Sequence, residues 1–537
     1  MDLNHDACYR VLQTRDARFD GRLFVGVRTT GIYCRPICPA RIPRKENVSF
    51  YPSAAAAQAA GFRPCLRCRP EASPELAIWR GSSNTVARAL QLIEAGALDK
   101  GDVEALADRL GVGERQLRRL FRQHLGATPV GVAQTRRVLL AKQLIHQTRL
   151  PMAQVAMAAG FGSVRRFNET FQTLFGCPPA KLRRAKTSDD AARIADAVTL
   201  RLAYRPPYDW NAILGFLAAR AIPGVEVVTA GSYARTIELE GVFGSIHVAA
   251  GDGDFLKATI RFPRLALLPR ILARIRRVFD LAADPVTIGA HLSEDPTLAA
   301  LVAARPGLRV PGAWDGFELA VRAILGQQIT VGAATQLAGK LANTFGEAFA
   351  GRDAEAGLTH VFPSAAVVAT ADLSVLRMPR VRIASLSSLA AAVAADPQFF
   401  GARRGLDEAI EQLTSLAGIG EWTAQYIAMR ELREPDSFPA SDIGLLRAMT
   451  KESGERPSPA WLLARAEKWR PWRAYAALHL WASDSASGTP GTSGVPRRSG
   501  GAPRVVSAGR PTRVRSPRRV ELSDPASKLV DRTIGLA

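Results

Sequence analysis

The chain has 537 residues and a formal net charge of +22, from 71 Lys and Arg against 49 Asp and Glu. That length suggests three or four domains, and the basic excess favours nucleic acid as partner over ribosomal association or anionic lipid. No apolar run approaches the ~20 residues needed to span a bilayer, and the N-terminal MDLNHDACYR has no signal-type apolar core, so a cytoplasmic protein without a membrane partner is expected.

Residues 1–75 read as a small α+β module stapled by metal. Strand-like runs, Leu23 to Arg28 and Val48 to Tyr51, alternate with turns containing Gly and Pro. Four of the six cysteines fall here, as Cys34-x3-Cys38 and Cys65-x2-Cys68. Two close pairs separated by a longer connection form a zinc-site spacing, each pair reaching two corners of one tetrahedron. The alternative, a disulfide or unrelated thiols, suits an oxidising compartment. A four-thiolate zinc centre carries a formal charge of about −2. Arg28, Arg35, Arg41, Arg44, Lys45, Arg63, Arg67 and Arg69 lie within or just outside the cysteine span, a setting suited to a polyanion. Ala72-Ser-Pro-Glu75 reads as a linker.

Residues 82–185 read as helical and basic. Asp102 opens the apolar-periodic DVEALADRLGV, Gly111 stops it, and Glu114 begins ERQLRRLFRQHL. Helix, Gly-containing turn and Arg-rich helix describe a helix-turn-helix. The pattern recurs as PMAQVAMAAGFG and SVRRFNETFQTLFG, beyond an amphipathic helix expected from Pro129 to Gln147. Arg118, Arg119 and Arg122 fall on one recognition helix, and Arg165, Arg166 and Asn168 on the other. An isolated Arg-rich helix is ordinarily a solvated face. Matching positions in a tandem repeat point to groove binding, and two units let a monomer span successive grooves unaided.

A charged connection, Ala185 to Ala195, leads to the third region. Strand-like VTLRLAY, VEVVTAGSYARTIEL, GSIHVAA and FLKATIRF give way to helical sequence from Leu268. A sheet subdomain (197–282) followed by an all-α body (283–485) is expected. From 486 to 537 Ser, Gly, Pro and Arg dominate, as in a disordered basic tail.

Within the body, LAGIGEWTAQY (416–426) places Gly418-Ile419-Gly420 before a helix that begins near Trp422. Bare amides at such a tight turn can hold a DNA phosphate, and the glycines let the strand approach. Asp442 follows in FPASD, placed either to lie near a bound base or to cap the next helix, Ile-Gly-Leu-Leu. Trp461, Trp469, Trp472, Tyr475 and Trp481 come soon after. They read either as core or as the walls that hold an extruded base.

These segments carry three resemblances. VRTTGIYCRPICPAR, ENVSFY and AAGFRPCLRCRP closely resemble the zinc domain of Ada-type adaptive-response proteins. AAGFGSVRRFNETFQTLFGCPPAKLR resembles the AraC-type DNA-binding domain, which also follows the zinc domain in Ada-type proteins. PPYDWNAILGFLAARAI, VRAILGQQIT, LAGIGEWTAQY, FPASD and AEKWRPWRAYAALHLW resemble AlkA-type 3-methyladenine DNA glycosylase II, of the helix-hairpin-helix superfamily. Together they cover roughly residues 1–485.

The resemblances imply a multidomain α+β protein: a small four-cysteine zinc domain, an all-α tandem helix-turn-helix, a sheet subdomain and an all-α helix-hairpin-helix glycosylase body. They imply one Zn²⁺ on Cys34, Cys38, Cys65 and Cys68, with Cys34 also the nucleophile that takes a methyl group from a DNA methylphosphotriester in a single turnover. Asp442 is implied as the catalytic carboxylate, and Trp422, Tyr426, Trp481 and Phe216 as the base pocket, favouring electron-poor alkylated purines by cation–π-like stacking. Gly418 and Gly420 would hold DNA, with Gln328 at the family's wedge position. Bifunctional relatives carry lysine where Trp422 stands, which implies hydrolysis without strand cleavage or any cofactor. The Pro-Cys-His-Arg motif of the O6-methylguanine transferase domain is absent, and Cys8 and Cys177 are given no role.

The expected partners are double-stranded, alkylated and promoter DNA, with RNA polymerase as a further one, for a monomeric protein at a bacterial nucleoid. Two alternatives remain beside this enzyme-plus-regulator reading. One is a regulator whose glycosylase body serves only as a DNA clamp; the other is an enzyme whose N-terminal half recruits it to damage without regulating.

Overall fold

The computed structural model describes residues 4–74, 84–183, 197–350, 357–396, 398–401, 405–450 and 454–487, all within one unit, Met1–Gly488. The expected connection 185–195 and, beyond Ser487, the expected tail lie outside the described residues.

Four short strands build the first module: β1 (Phe24–Val27), β2 (Ile32–Cys34), β3 (Val48–Tyr51) and β4 (Arg63–Pro64), in the order β3-β1-β2-β4. β4 runs parallel to β2 with Tyr33 beside Pro64, and the Cys65 amide donates to the Tyr33 carbonyl at 3.0 Å. That pairing sets the two halves of the cysteine spacing side by side. Gly26 in β1 lies beneath the Tyr51 and Phe62 rings, where a Cβ would stand 2.8 Å and 2.9 Å from ring carbons, so the rings close only over a glycine.

Each helix-turn-helix unit has one side-chain-capped helix, the first in one unit and the recognition helix in the other. Asp102 caps Val103–Arg109 by accepting from the Ala105 amide at 2.8 Å, and Ser163 caps Val164–Phe175 through the Arg166 amide at 3.1 Å. Their recognition helices, Glu114–Leu125 and Val164–Phe175, end at Gly126 and Gly176, each with φ +67°, the left-handed cap that glycine accepts freely. The helix joining the units runs Pro129–Gln147.

The third region opens with β5 (Val198–Ala203), β6 (Glu226–Val228), β7 (Ser232–Leu239), β8 (Val242–Ala250) and β9 (Phe255–Arg261), antiparallel in the order β5-β9-β8-β7-β6. Helices from Leu268–Val278 to Arg473–Ser487 follow. They pack around two clusters, one with Ile324, Leu386 and Ile427, the other with Leu292, Leu445, Trp469 and Leu480. The Glu421–Arg430 helix contributes Ile427 to the first and Met429 to the second, so its exposed face looks out where the two meet.

Although the sequence separates the helix-turn-helix region from the sheet by a charged connection, the two share one core. Val138, Leu144, Phe167 and Phe171 pack in the same cluster as Leu200, Val248, Ile260 and Leu272. The Pro129–Gln147 helix also closes the sheet edge. Gln143 Nε2 donates to the Arg201 carbonyl and the Arg201 amide donates to Gln147 Oε1, both at 2.8 Å, which satisfies a backbone edge otherwise open to pairing.

On the same helix, Lys142 is fully buried and donates to the Cys65 carbonyl at 2.8 Å and to Glu71 Oε2 at 2.7 Å. Burial pushes its ammonium down, against the opposing charge of Glu71. Lys142→Ala would strand the Glu71 carboxylate in the interior, at an expected cost of roughly 3 kcal/mol. Urea unfolding should show the lower midpoint, with part of the loss recovered when Lys142→Met is combined with Glu71→Leu.

Candidate functional site

Cys34 ends β2 half-buried, while Cys38, Cys65 and Cys68 are buried. All four sulfurs lie within 4.8 Å of one another. Zn–S bonds of about 2.3 Å in a tetrahedron put sulfurs about 3.8 Å apart, so the donor set fits one zinc ion. The Arg35 and Arg67 amides donate to Cys68 Sγ at 3.4 Å and Cys65 Sγ at 3.3 Å, bonds that suit sulfur carrying negative charge. Hydrogen bonds among the thiols pull Cys65 down and push Cys34 up, a conflict that a shared cation resolves for all four thiolates at once.

The basic surround is only partly a surface. Arg28, Arg41, Arg44, Lys45 and Arg67 are exposed, but Arg35 turns inward. Its Nε donates to Asp20 Oδ1 at 2.8 Å and its Nη1 to the Cys68 carbonyl at 3.2 Å, fastening the ligand loop. Arg205, from the third region, donates to the Asp20 carbonyl at 3.3 Å. Cys8 is buried, and Cys177 is half-buried against the shared core.

Arg118, Arg119, Arg122, Arg165, Arg166 and Asn168 are all exposed on the two recognition helices. Arg118 is paired with Glu114, and Arg165 with Glu169 at 2.7 Å. Such exposed pairs are worth little and are readily exchanged for phosphates.

In the third region the hairpin joins Leu406–Thr414 to Glu421–Arg430. Gly420 precedes the second helix with no side-chain cap, which leaves the first-turn amides free to donate to an anion. Gly418 has φ +86°, and a Cβ there would stand 2.0 Å from Ser385 Oγ. Gly418→Ala is therefore expected to displace the hairpin, costing about 2 kcal/mol locally and weakening duplex binding about tenfold, as fluorescence anisotropy with a duplex would read.

The loop bearing Gln328 is braced against this hairpin. Gln327 Nε2 donates to the Gly418 carbonyl at 2.8 Å, and Arg382 Nη2 donates to the Gln327 carbonyl at 2.6 Å. Gln328 itself is exposed with φ +58°, a costly conformation for a residue with a side chain. Ile329, Val331 and, on the helix that carries Arg382, Val381 are exposed apolar residues.

Asp442 caps Ile443–Ala448 by accepting from the Leu445 amide at 3.0 Å. Two indoles also donate to it, Trp422 Nε1 to Oδ2 and Trp481 Nε1 to Oδ1, each at 2.8 Å. Capping and a place at an open site thus coexist: the carboxylate is half-buried and three N–H groups fix its orientation. Trp469, Trp472 and Tyr475 are core, Trp469 donating to Asp295 and Tyr475 to Asp280, while Trp461 is exposed and Trp481 donates to Asp442.

Trp422 stacks on Tyr426 at 5.3 Å between centroids and 9° between planes. Phe216 stands further along, its ring 3.9 Å from the Arg220 guanidinium carbon and 4.8 Å from that of Arg430. Arg430 also donates to the Tyr426 hydroxyl at 2.7 Å. The expected electron-rich faces for a cationic base are therefore partly engaged by protein cations. No sequence motif marks Arg220, whereas Trp422, Tyr426 and Arg430 recur every four residues, on one helix face.

Comparison with known proteins gives the following likenesses. Residues 7–71 match the metal binding domain of Ada, 106–185 a helix-turn-helix domain and 199–315 the AlkA N-terminal domain. A probable bifunctional transcriptional activator/DNA repair enzyme AlkA from Mycobacterium tuberculosis is 42% identical over 478 residues, 89% of this chain and 96% of that protein. DNA-3-methyladenine glycosylase 2 of Escherichia coli is 36% identical over 287 residues, 52% of this chain and 95% of that one. The bifunctional transcriptional activator/DNA repair enzyme Ada of Escherichia coli is 41% identical over 127 residues, 24% of this chain and 34% of that protein.

Proposed function

Because the chain belongs to the family of AlkA-type bifunctional transcriptional activator/DNA repair enzymes, we propose that it excises alkylated purines such as 3-methyladenine and 7-methylguanine by hydrolysis, and that methyl transfer to Cys34 controls its binding to promoter DNA. The observation that carries the first half is the convergence of Trp422 Nε1, Trp481 Nε1 and the Leu445 amide on Asp442.

Held in this way, the Asp442 carboxylate faces the sugar of an extruded nucleotide. It stabilises positive charge growing at C1′ as the bond to the base breaks, and orients the water that replaces the base. The hairpin amides at Gly418 and Gly420 grip a phosphate, and Gln328 reaches the gap left in the stack.

At the N-terminal centre, one zinc ion held by Cys34, Cys38, Cys65 and Cys68 would keep the Cys34 sulfur ionised at neutral pH. That sulfur attacks the methyl carbon of a phosphotriester: the S–C bond forms, the C–O bond breaks, and the oxygen leaves as a phosphodiester anion. The thioether cannot transfer the methyl onward, so each chain acts once. The exposed recognition-helix arginines then read promoter DNA as a monomer, with RNA polymerase as the protein partner.

The test is base release from methylated duplex DNA by the native protein and by Asp442→Asn. Release by the native protein alone supports the reading. Release by neither would leave the body as a DNA clamp.

A further inference from the structure

The Glu421–Arg430 helix presents Trp422, Tyr426 and Arg430 in a row. At ~1.5 Å per residue, each step of four carries the row roughly 6 Å further from Trp422, which is bonded to Asp442. A purine is about as long as one such step. With its glycosidic nitrogen at Asp442, its far edge reaches the level of Tyr426, whose hydroxyl accepts from Arg430, and the Phe216 ring lies 4.8 Å from the Arg430 guanidinium carbon and 3.9 Å from that of Arg220.

Two guanidiniums sit there, and they differ. Arg430 is buried and engaged at each of its three nitrogens: Nε donates to the Pro311 carbonyl at 2.8 Å, Nη2 to the Gly312 carbonyl at 3.2 Å and Nη1 to Tyr426. Arg220 is half-buried, and among the described residues its guanidinium makes one hydrogen bond, from Nη1 to the Phe216 carbonyl at 3.3 Å. Its remaining N–H groups are available. Arg235 and Arg322 nearby are matched by Glu226 and Glu318, so they leave no charge to cancel Arg220 and Arg430. Burial pushes the Tyr426 hydroxyl up, yet the Arg430 and Arg220 charges outweigh it and hold the phenol below its ordinary range. This end of the site is cationic.

A cation there acts oppositely on two kinds of lesion. An N7-methylated guanine is already positive and departs neutral, so it is repelled when bound and needs no help to leave. An uncharged base departs with the bonding pair and carries negative charge in the transition state. A fixed donor at its far edge stabilises that charge without a proton transfer.

We propose that Arg220 sets the substrate range of this site, assisting the departure of uncharged purines that carry a ring nitrogen or keto oxygen on the edge away from the sugar. The proposal rests on the glycosylase reading above. The C1′–N9 bond breaks with both electrons passing to the base, and the sugar cation forms opposite Asp442. Water oxygen bonds to C1′ and loses its proton to Asp442 or solvent. The base anion, hydrogen-bonded by Arg220, takes one proton from solvent.

Single-turnover release from duplexes bearing one hypoxanthine or one 7-methylguanine tests this, with the native protein, Arg220→Gln, Arg220→Lys and Asp442→Asn. Arg220→Gln should lower the ratio of hypoxanthine to 7-methylguanine release about tenfold, and Arg220→Lys should recover part of it because the charge remains. An equal fall for both bases would reduce Arg220 to a structural support and overturn the proposal. So would an unchanged ratio, or a native protein that releases 7-methylguanine but no hypoxanthine. If the native protein releases neither base, the glycosylase reading itself fails.

Discussion

Asp442→Asn is expected to lower base release by roughly three orders of magnitude while leaving the fold standing. Asparagine caps a helix about as well as aspartate, so the Ile443–Ala448 helix keeps its start. The Leu445 amide and the Trp481 indole both donate to Oδ1, and an asparagine oxygen in that position retains both bonds. Its amide then meets Trp422 Nε1 where Oδ2 had accepted, donor against donor. Two things are lost together: the charge opposite the developing sugar cation, and the bond that fixes the outer ring of the aromatic row. Single-turnover release of 3-methyladenine should collapse, with the thermal midpoint moving by no more than about 2 °C. Asp442→Ala removes the cap as well and should cost a further ~1 kcal/mol of stability. Native-like release by Asp442→Asn would place the charge stabilisation on another group.

What could be read from the sequence is what short-range chemistry dictates. Cysteine spacing, the helix that Asp102 opens and the Gly418-Ile419-Gly420 turn each lie within a few residues of the structure they specify, and each has the expected local form. Asp442 could be read the same way, because a carboxylate directly before an apolar run is a cap wherever that helix packs. Contacts between distant segments could not. Nothing beside Gln143 and Gln147 reveals that they close the edge of β5, and nothing beside Arg35 reveals Asp20. The late aromatics show the limit clearly: Trp469 and Trp481 look alike in sequence, but Asp295 draws one into the core and Asp442 holds the other at the site.

The arginines around Phe216 extend that point to specificity. Helix periodicity alone aligns Arg430 with Trp422 and Tyr426, whereas Phe216 and Arg220 come from the helix and turn between β5 and β6, reaching Arg430 only through the tertiary fold. An aromatic pocket could be inferred from residue types. The charge at its end could not, and that charge decides which leaving groups the pocket favours.

Cys34→Ala is expected to abolish methyl uptake completely while reproducing much of the effect of methylation on DNA binding. The other three cysteines of the centre are buried, so none of them can take over, and intact-mass measurement after incubation with methylphosphotriester DNA should show no methylated species. The electrostatic consequence is separate. A four-thiolate zinc centre has a formal charge of about −2, and either methylation of Cys34 or its replacement by alanine removes one negative charge. At ~8 Å from a phosphate and an effective dielectric of ~20, that charge is worth roughly 2 kcal/mol. One Debye length of screening, about 8 Å at physiological salt, cuts it to about 0.8 kcal/mol, or about fourfold in affinity. If charge operates the switch, unmethylated Cys34→Ala should bind promoter duplex about as tightly as methylated native protein, with the gap to unmethylated native protein closing as salt is raised. If Cys34→Ala instead binds like the unmethylated protein at every salt concentration, the methyl group acts through contact with DNA, and the exposed arginines around the centre only bring the two together.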